Sequence, residues 1–156
     1  MINIIVAVAD NGVIGKNGKL PWHLRLDMAR FKQLTMGGSV IFGLNTFNEF
    51  KKPLAGRENI VLSTRTQAID GVKVFNCLEK AVDYAKTQNK EIFICGGESV
   101  YKKALEFADR LYITHINADF DGDRYFPDIP DKFKCVSREE ILDTGTPTTF
   151  CVYNRI

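Results

Sequence analysis

The stretch Ile2-Asn3-Ile4-Ile5-Val6-Ala7-Val8-Ala9 decides the fold, because every side chain in it except that of Asn3 is apolar. A β-strand built from it is apolar on both faces, which is typical of a central strand in a parallel sheet covered on both sides. The stretch is too short to span a bilayer, which takes about 20 apolar residues. It also lacks the basic start and small-residue cleavage site of a secretory signal. We therefore expect a buried strand in a cytoplasmic protein.

Downstream of this strand, short β-rich segments alternate with segments of helical periodicity. Strands are predicted at Ser39–Phe42, Asn59–Ser63, Val72–Phe75, Glu91–Cys95 and Arg110–Ala118. Helices are predicted at Leu24–Thr35, Asn45–Phe50 and Leu78–Thr87, and after Gly96-Gly97 with Val100, Ala104, Leu105 and Ala108 facing inward. Asp10–His23 is predicted to be a loop, long enough to act as a lid over a binding site. Cys135–Ile141 and Thr149–Asn154 are predicted to close the sheet as an antiparallel pair.

This order of elements predicts an α/β fold with a mainly parallel central β-sheet, an antiparallel C-terminal strand pair and about four flanking helices. A length of 156 residues fits one domain spanning residues 1–156. Ligands of such sheets bind beyond the carboxyl ends of the strands. The loops after Ala9, Phe42, Ser63 and Cys95 are therefore expected to share the edge that carries the chemistry.

The composition argues against several classes of protein. The chain is 45% hydrophobic and 26% charged, which is the ordinary balance of a folded soluble protein. Its net charge is +2, and no strong Lys/Arg cluster suggests a nucleic-acid partner. The four cysteines have no metal-ligand spacing with either histidine, so we expect no metal site. Three of the four are expected to be buried free thiols, which fits a reducing compartment.

The carboxylate of Asp27 interrupts an otherwise apolar helix face formed with Leu24, Met28 and Phe31. Burying an unpaired carboxylate is costly, so one interpretation is that Asp27 has a polar partner or a ligand. The other interpretation is that Asp27 lies near the helix start, where acidic residues favour the helix dipole. Thr114 is relevant to function only if it faces Asp27, since threonine is ordinary in a strand.

Two further segments are candidates for anion binding. Gly96-Gly97 follows a strand and opens a helix, which presents backbone N–H groups to a pyrophosphate, although paired glycines also simply make tight turns. Ser63-Thr64-Arg65 ends another strand with two hydroxyls and a guanidinium, which suits a phosphate monoester or, alternatively, caps the strand end. Neither a nucleophile elbow nor a P-loop is present, which argues against hydrolases and kinases.

Taken together, these segments resemble dihydrofolate reductase from Ile2 to about Pro127. The motifs that carry the resemblance occur in the family's order and spacing. They are Gly12-Val13-Ile14-Gly15, Leu20-Pro21-Trp22, the helix with Asp27 and Phe31, Val40-Ile41-Phe42-Gly43 with Thr46, Pro53-Leu54, Gly56-Arg57-Glu58-Asn59, Gly96-Gly97 with Val100-Tyr101, Tyr112-Ile113-Thr114-His115-Ile116, and Gly122-Asp123 with Phe126-Pro127.

The resemblance implies an oxidoreductase that uses NADPH to reduce 7,8-dihydrofolate to 5,6,7,8-tetrahydrofolate. Hydride would be transferred to C6 and a proton to N5, in support of one-carbon metabolism and thymidylate and purine synthesis. The implied partners are dihydrofolate and antifolate inhibitors, with no nucleic acid and no membrane, and we expect a monomer. The pyrimidine reductase of riboflavin synthesis is the nearest alternative. A non-catalytic nucleotide- or flavin-binding module and a structural oligomer are the others.

The resemblance also assigns roles residue by residue. Asp27 would hydrogen-bond the pterin with help from Thr114, and Trp22 would hold a water near the carboxylate. The implied substrate-binding residues are Ile5, Val6, Met28, Phe31, Phe50, Leu54, Arg57 and Thr114. The implied cofactor-binding residues are Ala7, Ile14, Gly15, Lys19, Leu20, Gly43, Asn45, Thr46, Ser63, Thr64, Arg65, Cys95, Gly96, Gly97, Glu98, Ser99, Val100 and Tyr101.

Two positions depart from the family's pattern. Leu44 stands where the family usually has a basic residue, which removes one cation from the cofactor phosphates, although Arg65 can compensate. Cys95 replaces the usual aliphatic residue beside the nicotinamide, which suggests a thiol-sensitive pocket.

Overall fold

The computed structural model describes residues 1–15, 25–65, 68–141 and 146–156, without the side chains of Arg25 and Leu26. Its strands are β1 (Ile2–Ala9), β2 (Val13–Gly15), β3 (Ser39–Gly43), β4 (Glu58–Leu62), β5 (Lys73–Phe75), β6 (Ile92–Ile94), β7 (Arg110–Ile116), β8 (Arg124–Tyr125), β9 (Phe133–Ile141) and β10 (Thr148–Arg155). Its helices are α1 (Arg25–Thr35), α2 (Leu44–Phe50), α3 (Leu78–Lys86) and α4 (Glu98–Ala104).

Eight strands form one sheet in the order β5-β4-β3-β6-β1-β7-β10-β9. Neighbouring strands from β5 to β7 are parallel, whereas β10 runs antiparallel to both β7 and β9. The predicted fold class is therefore confirmed, including the central position of β1 between β6 and β7. Parallel order brings the carboxyl ends of β1, β3, β4 and β6 to one edge, as the sequence predicts.

The two faces of the sheet are covered by different helices, because alternate residues of each strand point to opposite sides. On one face, Ile4, Ile41 and Ile60 are buried in a cluster with α3 and α4. On the other face, Val40, Phe42 and Phe93 form a cluster with Phe31 and Leu34 of α1 packed against it. The four predicted core positions of α3 are all buried, namely Leu78, Ala81, Val82 and Ala85.

The predicted loop at Asp10–His23 is wrong for Val13–Gly15, which forms β2 and pairs with β8. This pair is a separate two-stranded sheet, and its partners are more than 100 residues apart in the chain. Strands of three and two residues carry too little periodicity to be predicted locally. Residues 16–23 of the predicted loop lie outside the described residues.

Other differences concern the ends of elements and the cysteines. Strand β7 ends at Ile116 rather than Ala118, β6 ends at Ile94, and α4 ends at Ala104, so that Ala108 is buried beyond the helix.

All four cysteines are free, but only Cys95 and Cys151 are buried, so the prediction of three buried thiols is wrong. Among the residues described, no helix is long and apolar enough to cross a membrane.

Gly122 is required for the close approach of the segment before β8 to β2. A Cβ atom at this position would overlap Val13 Cγ1 and lie 2.6 Å from the carbonyl oxygen of Gly15. We expect Gly122→Ala to lower the free energy of unfolding by about 1–3 kcal/mol, because a buried contact must shift to make room.

Urea unfolding monitored by circular dichroism measures this difference. Gly43→Ala is the matched control, since a Cβ there meets its nearest neighbour at an ordinary 3.7 Å. Equal loss of stability in the two variants would contradict the packing argument.

Candidate active site

A cleft of about 960 Å³ lies at the carboxyl edge of the parallel strands. Ala7 of β1, Gly43 of β3, Ser63 after β4 and Cys95 after β6 all line it. This size is within the range of small-molecule sites. The shared edge predicted from the sequence is therefore the wall of a single cleft.

Asp27 lies in the first turn of α1 and contacts the sheet across the cleft. Its Oδ1 accepts a hydrogen bond of 2.5 Å from the hydroxyl of Thr114, which is almost completely buried on β7. Both interpretations of Asp27 therefore hold, since it is near the helix start and also has a polar partner. Thr114 faces the carboxylate of Asp27, which is the arrangement that makes this threonine relevant to function.

Two opposing effects act on the ionisation of Asp27. Burial raises the pKa of the carboxyl above its ordinary value of 3.8 and is the larger effect. The hydrogen bond from Thr114 and the positive charge of Arg30 both lower the pKa. The result is a partly buried carboxyl whose ionised form is supported by the hydroxyl of Thr114 and the charge of Arg30.

Aromatic and aliphatic side chains form the cleft wall on either side of Asp27. The rings of Phe31 and Phe50 are stacked with centroids 6.3 Å apart. Met28 is 53% exposed although it lies on the apolar helix face, because that face borders the cleft. The predicted substrate residues that line the cleft are Ile5, Val6, Met28, Phe31, Phe50 and Thr114.

Leu54 and Arg57, by contrast, are not part of the cleft wall. Leu54 packs against the cluster beneath α1, and its backbone N–H donates to Asn59 Oδ1 at 2.8 Å. The guanidinium of Arg57 donates from Nη1 to Thr35 Oγ1 at 3.2 Å, so it lies at the end of α1. Substrate binding by these two residues stays a prediction.

The glycine pair at the start of α4 forms a tightly packed part of the cleft. The Gly96-Gly97 peptide bond is cis, and Gly43 N–H donates to the carbonyl oxygen of Gly96 at 2.8 Å. A Cβ at Gly97 would lie 3.1 Å from Thr46 Oγ1, so no larger residue fits without displacement. Tyr101 on α4 donates from its hydroxyl to the carbonyl oxygen of Ile5 at 2.8 Å, which ties α4 to the central strand.

The residues after β4 provide polar groups at the other side of the cleft. Thr64 and Arg65 are exposed, and Arg65 N–H donates to Ser63 Oγ at 3.2 Å, so this segment also caps the strand end. All the predicted cofactor residues within the described ranges line the cleft: Ala7, Ile14, Gly15, Gly43, Asn45, Thr46, Ser63, Thr64, Arg65, Cys95, Gly96, Gly97, Glu98, Ser99, Val100 and Tyr101. Lys19, Leu20 and Trp22 lie outside the described residues.

Several lining residues are absent from the sequence-based prediction. They are Arg30, Leu44, Asn48, Glu49, Leu62, Asn76, Cys77, Leu78, Lys103, Arg124 and Phe150. Arg30 lies three residues after Asp27 and could have been found from helix spacing. Phe150 could not, because its place depends on the register of β10 against β7. In the described part of the chain no group of His, Cys, Asp and Glu side chains is arranged to hold a metal ion.

The cleft has an apolar end with a partnered carboxylate and a glycine-rich end with strand-end hydroxyls and a guanidinium. Together with the parallel sheet, this arrangement is the one expected of an α/β oxidoreductase with a nucleotide cofactor. The sequence model of the dihydrofolate reductase family matches residues 1–155, and the chain belongs to that family.

Known relatives agree with this membership. The chain is 43% identical over 129 residues to dihydrofolate reductase type 3 of Salmonella typhimurium, covering 82% of this chain and 79% of that protein. It is 39% identical over 142 residues to dihydrofolate reductase of Bacillus subtilis (strain 168), covering 90% and 84%. A solved structure of dihydrofolate reductase from Enterococcus faecalis, complexed with NADP(H) and RAB-propyl, has a TM-score of 0.94 at 34% identity and covers 99% and 96% of the two chains.

Replacement of Asp27 by asparagine is expected to stabilise the folded protein at neutral pH. Because the pKa of Asp27 is raised above 3.8, the folded state binds this proton more tightly than the unfolded state does. Ionisation as the pH rises above that value therefore destabilises the fold, and this contribution is absent in Asp27→Asn. We expect a higher Tm for the variant at pH 7, with the difference shrinking as the pH falls towards 3.8.

Thermal unfolding of both proteins across this pH range measures the effect. Asp83→Asn, which removes an exposed carboxylate on α3, is the matched control. A Tm difference between wild type and Asp27→Asn that does not vary with pH would contradict the assignment.

Proposed function

We propose that this protein catalyses the NADPH-dependent reduction of 7,8-dihydrofolate to 5,6,7,8-tetrahydrofolate. The observation that carries the proposal is the Asp27–Thr114 pair at the apolar end of a cleft that continues to Gly96-Gly97. Membership of the dihydrofolate reductase family supports the same reaction. Tetrahydrofolate production places the protein in one-carbon metabolism and makes it a target for antifolates.

The apolar end of the cleft fits the pterin and benzoyl parts of the substrate. The Asp27 carboxylate can accept two hydrogen bonds from a pterin in a bidentate arrangement, one from N3–H and one from the 2-amino group. Thr114 fixes the orientation of that carboxylate through its hydrogen bond. Ile5, Val6, Met28, Phe31 and Phe50 exclude water around the ring system. Leu54 and Arg57 follow beyond this wall, where Arg57 would pair with the glutamate carboxylate.

The remainder of the cleft fits the dinucleotide. Gly96 and Gly97 carry no side chains at the start of α4, so the backbone N–H groups there are accessible to a pyrophosphate. Ser63, Thr64 and Arg65 have the hydroxyl and guanidinium donors that bind a phosphate monoester. Gly43, Asn45 and Thr46, with residues 96–101, would complete the adenosine and pyrophosphate side. Ala7, Ile14, Gly15 and Cys95 would lie beside the nicotinamide. Lys19 and Leu20 are proposed to join them.

The chemistry follows from how these residues orient and desolvate the reactants. Bound NADPH supplies the hydride that reduces C6 of the substrate. The chain aligns the two ring systems and excludes bulk water from the apolar wall. The negative charge of Asp27 stabilises the substrate when it is protonated at N5. Trp22 is proposed to hold the water molecule near this carboxylate.

The wider context of the protein is also a proposal. We infer one domain over residues 1–156, because β1 from the N-terminus and β10 from the C-terminus both pair with β7 in the same sheet. Free cysteines favour a reducing compartment such as the cytoplasm. The large apolar side chains that are exposed, among them Met36, Tyr125 and Val136, are on separate elements, which favours a monomer.

The reaction is tested by following NADPH absorbance after addition of dihydrofolate. Wild-type protein is expected to oxidise NADPH, and Asp27→Asn to be slower by about 10²-fold or more, the scale of a lost electrostatic or acid–base group. The loss is expected to be greatest near neutral pH, because a more acidic solution protonates the substrate without help from the protein.

Asp83→Asn is the control and should keep full activity, since its carboxylate is exposed on α3. Correctly folded wild type that leaves NADPH unchanged would overturn the proposal. Turnover of a ribosylaminopyrimidine instead would identify the pyrimidine reductase of riboflavin synthesis.

Cofactor preference provides a second test, because Leu44 lines the cleft where a cation is usual in the family. If Arg65 binds the 2′-phosphate, Arg65→Ala should raise the KM for NADPH about tenfold, as expected for loss of one charge-assisted contact. The KM for NADH, which lacks this phosphate, should change little.

Lys80→Ala is the matched control, since Lys80 is an exposed cation on α3 that does not line the cleft. Equal increases in KM for NADPH and NADH would rule out recognition of the 2′-phosphate by Arg65.

A further inference from the structure

Arg30 has no role in the proposed reaction although its side chain lines the cleft beside Asp27. The two residues are three positions apart on α1, so their side chains project from adjacent turns of the same face. The Arg30 side chain is only 19% exposed. A permanent cation held at the apolar end of a cleft needs a physical explanation.

A row of side chains on the sheet holds this part of α1. Phe150 on β10 is the register partner of Thr114 on β7, and Glu139 on β9 is the register partner of Phe150. Register partners share one face of a sheet, so the three side chains form a row across three strands. Asp27 contacts the first member through Thr114 Oγ1, while Cζ of Arg30 lies 4.0 Å from the ring centroid of Phe150.

The guanidinium of Arg30 is incompletely balanced by its neighbours. Its Nη2 lies 3.9 Å from Glu139 Oε2, at the long end of an ion pair, and the Glu139 side chain is 66% exposed. Exposed pairs of this kind are weak. Its Nη1 is buried and has no hydrogen-bond partner among the residues that the structure describes. Asp27, a partly buried carboxylate, lies three residues before Arg30 on the same helix, and the charge of Arg30 acts on it.

Other ionisable groups that line the cleft lie on or next to several of the elements that border it. They are Glu49 on α2, Arg65 after β4, Cys77 before α3, Cys95 after β6, Glu98, Tyr101 and Lys103 on α4, and Arg124 on β8. Glu139 on β9 faces Arg30 itself. Burial raises the pKa of Glu49 to about 7, so this group is largely protonated in mildly acidic solution. Arg30 is the cation whose charge opposes the effect of burial on Asp27.

We propose that Arg30 is a positioning residue whose charge, held beside Asp27 by stacking on Phe150, keeps the Asp27 carboxylate ionised for the substrate. This role rests on the proposed function of Asp27 in binding the pterin. Stacking on Phe150 holds the cation over the row of side chains, and the partly buried setting strengthens its attraction to Asp27 relative to a pair in water. Asp27 and Arg30 thus act as one unit, in which the first contacts the substrate and the second acts through the first.

The test is a carbon-13 NMR titration of the Asp27 carboxyl in the ligand-free protein. Arg30→Met removes the charge and keeps an unbranched apolar side chain, whereas Arg30→Lys keeps the charge and loses the planar group. We expect the Asp27 pKa to rise in Arg30→Met and to stay close to wild type in Arg30→Lys. Lys32→Met, the same change of charge at an exposed position of α1, should leave it unchanged.

Activity gives a second readout that a purely structural role would not produce. In Arg30→Met the acid limb of the pH profile of kcat/KM for dihydrofolate should move to higher pH. On that limb kcat/KM should be a few-fold below wild type, and at alkaline pH the two proteins should become equal. A uniform loss at every pH, or a shift in Arg30→Lys as large as in Arg30→Met, would show that packing rather than charge is responsible and would overturn the proposal. An unmoved Asp27 titration in folded Arg30→Met would also overturn it.

These measurements separate failure of the inference from failure of the proposed function. The NMR titration uses free protein and does not depend on any substrate. Wild type that cannot reduce dihydrofolate would remove the proposed function, while the titration would still decide whether Arg30 controls the ionisation of Asp27. If Arg30→Met does not fold, Arg30→Gln removes the same charge with a polar side chain, and an unmoved Asp27 titration in that variant would overturn the proposal.

Discussion

The hydrogen bond between Thr114 and Asp27 joins the central sheet to α1 at the point where the cleft is most apolar. Burial removes part of the carboxylate from water, and Thr114 gives it a buried donor, so the ionisation of Asp27 depends on its immediate neighbours. Thr114 is itself placed by pairing of β7 with β1, where its register partner is Ala7. The position of the carboxylate therefore depends on the apolar central strand.

Parallel pairing around β1 also explains why two chemically different binding regions meet in one cleft. The carboxyl ends of β3, β4 and β6 bring Gly43, Ser63 and Cys95 to the same edge as Ala7. Tyr101 then fixes α4 by donating to the backbone of β1 at Ile5. The glycine-rich region and the carboxylate region are consequently held at a defined separation by one strand, which is what transfer between two aligned rings requires.

Much of this arrangement could be predicted from the sequence, because the decisive signals are local. The two apolar faces of Ile2–Ala9 identify the central strand, and the spacing of Leu78 to Ala85 identifies the buried face of α3. Asp27 was detectable because it breaks an apolar helix face. Met28 shows the limit of that reasoning. An apolar stripe on a helix has the same sequence pattern whether it packs against a core or borders a cleft.

The features that escaped prediction depend on long-range geometry. The β2–β8 pair joins two very short strands from distant parts of the chain. Phe150 reaches the cleft because β10 pairs with β7 in one particular register. Helix spacing places Arg30 beside Asp27, but the stacking of Arg30 on Phe150 depends on that register. The contact of Arg57 with Thr35 likewise follows from tertiary packing, which the periodicity of the sequence does not record.

The central claim is that the Asp27 carboxylate, supported by Thr114, is the group that binds the pterin. The most direct test is to titrate the Asp27 carboxyl of the wild-type protein by carbon-13 NMR, first alone and then with folate bound. The account predicts a pKa above 3.8 in the free protein and a fall on binding, because N–H donors of the ligand stabilise the ionised form. A pKa that stays the same when folate is bound would contradict it.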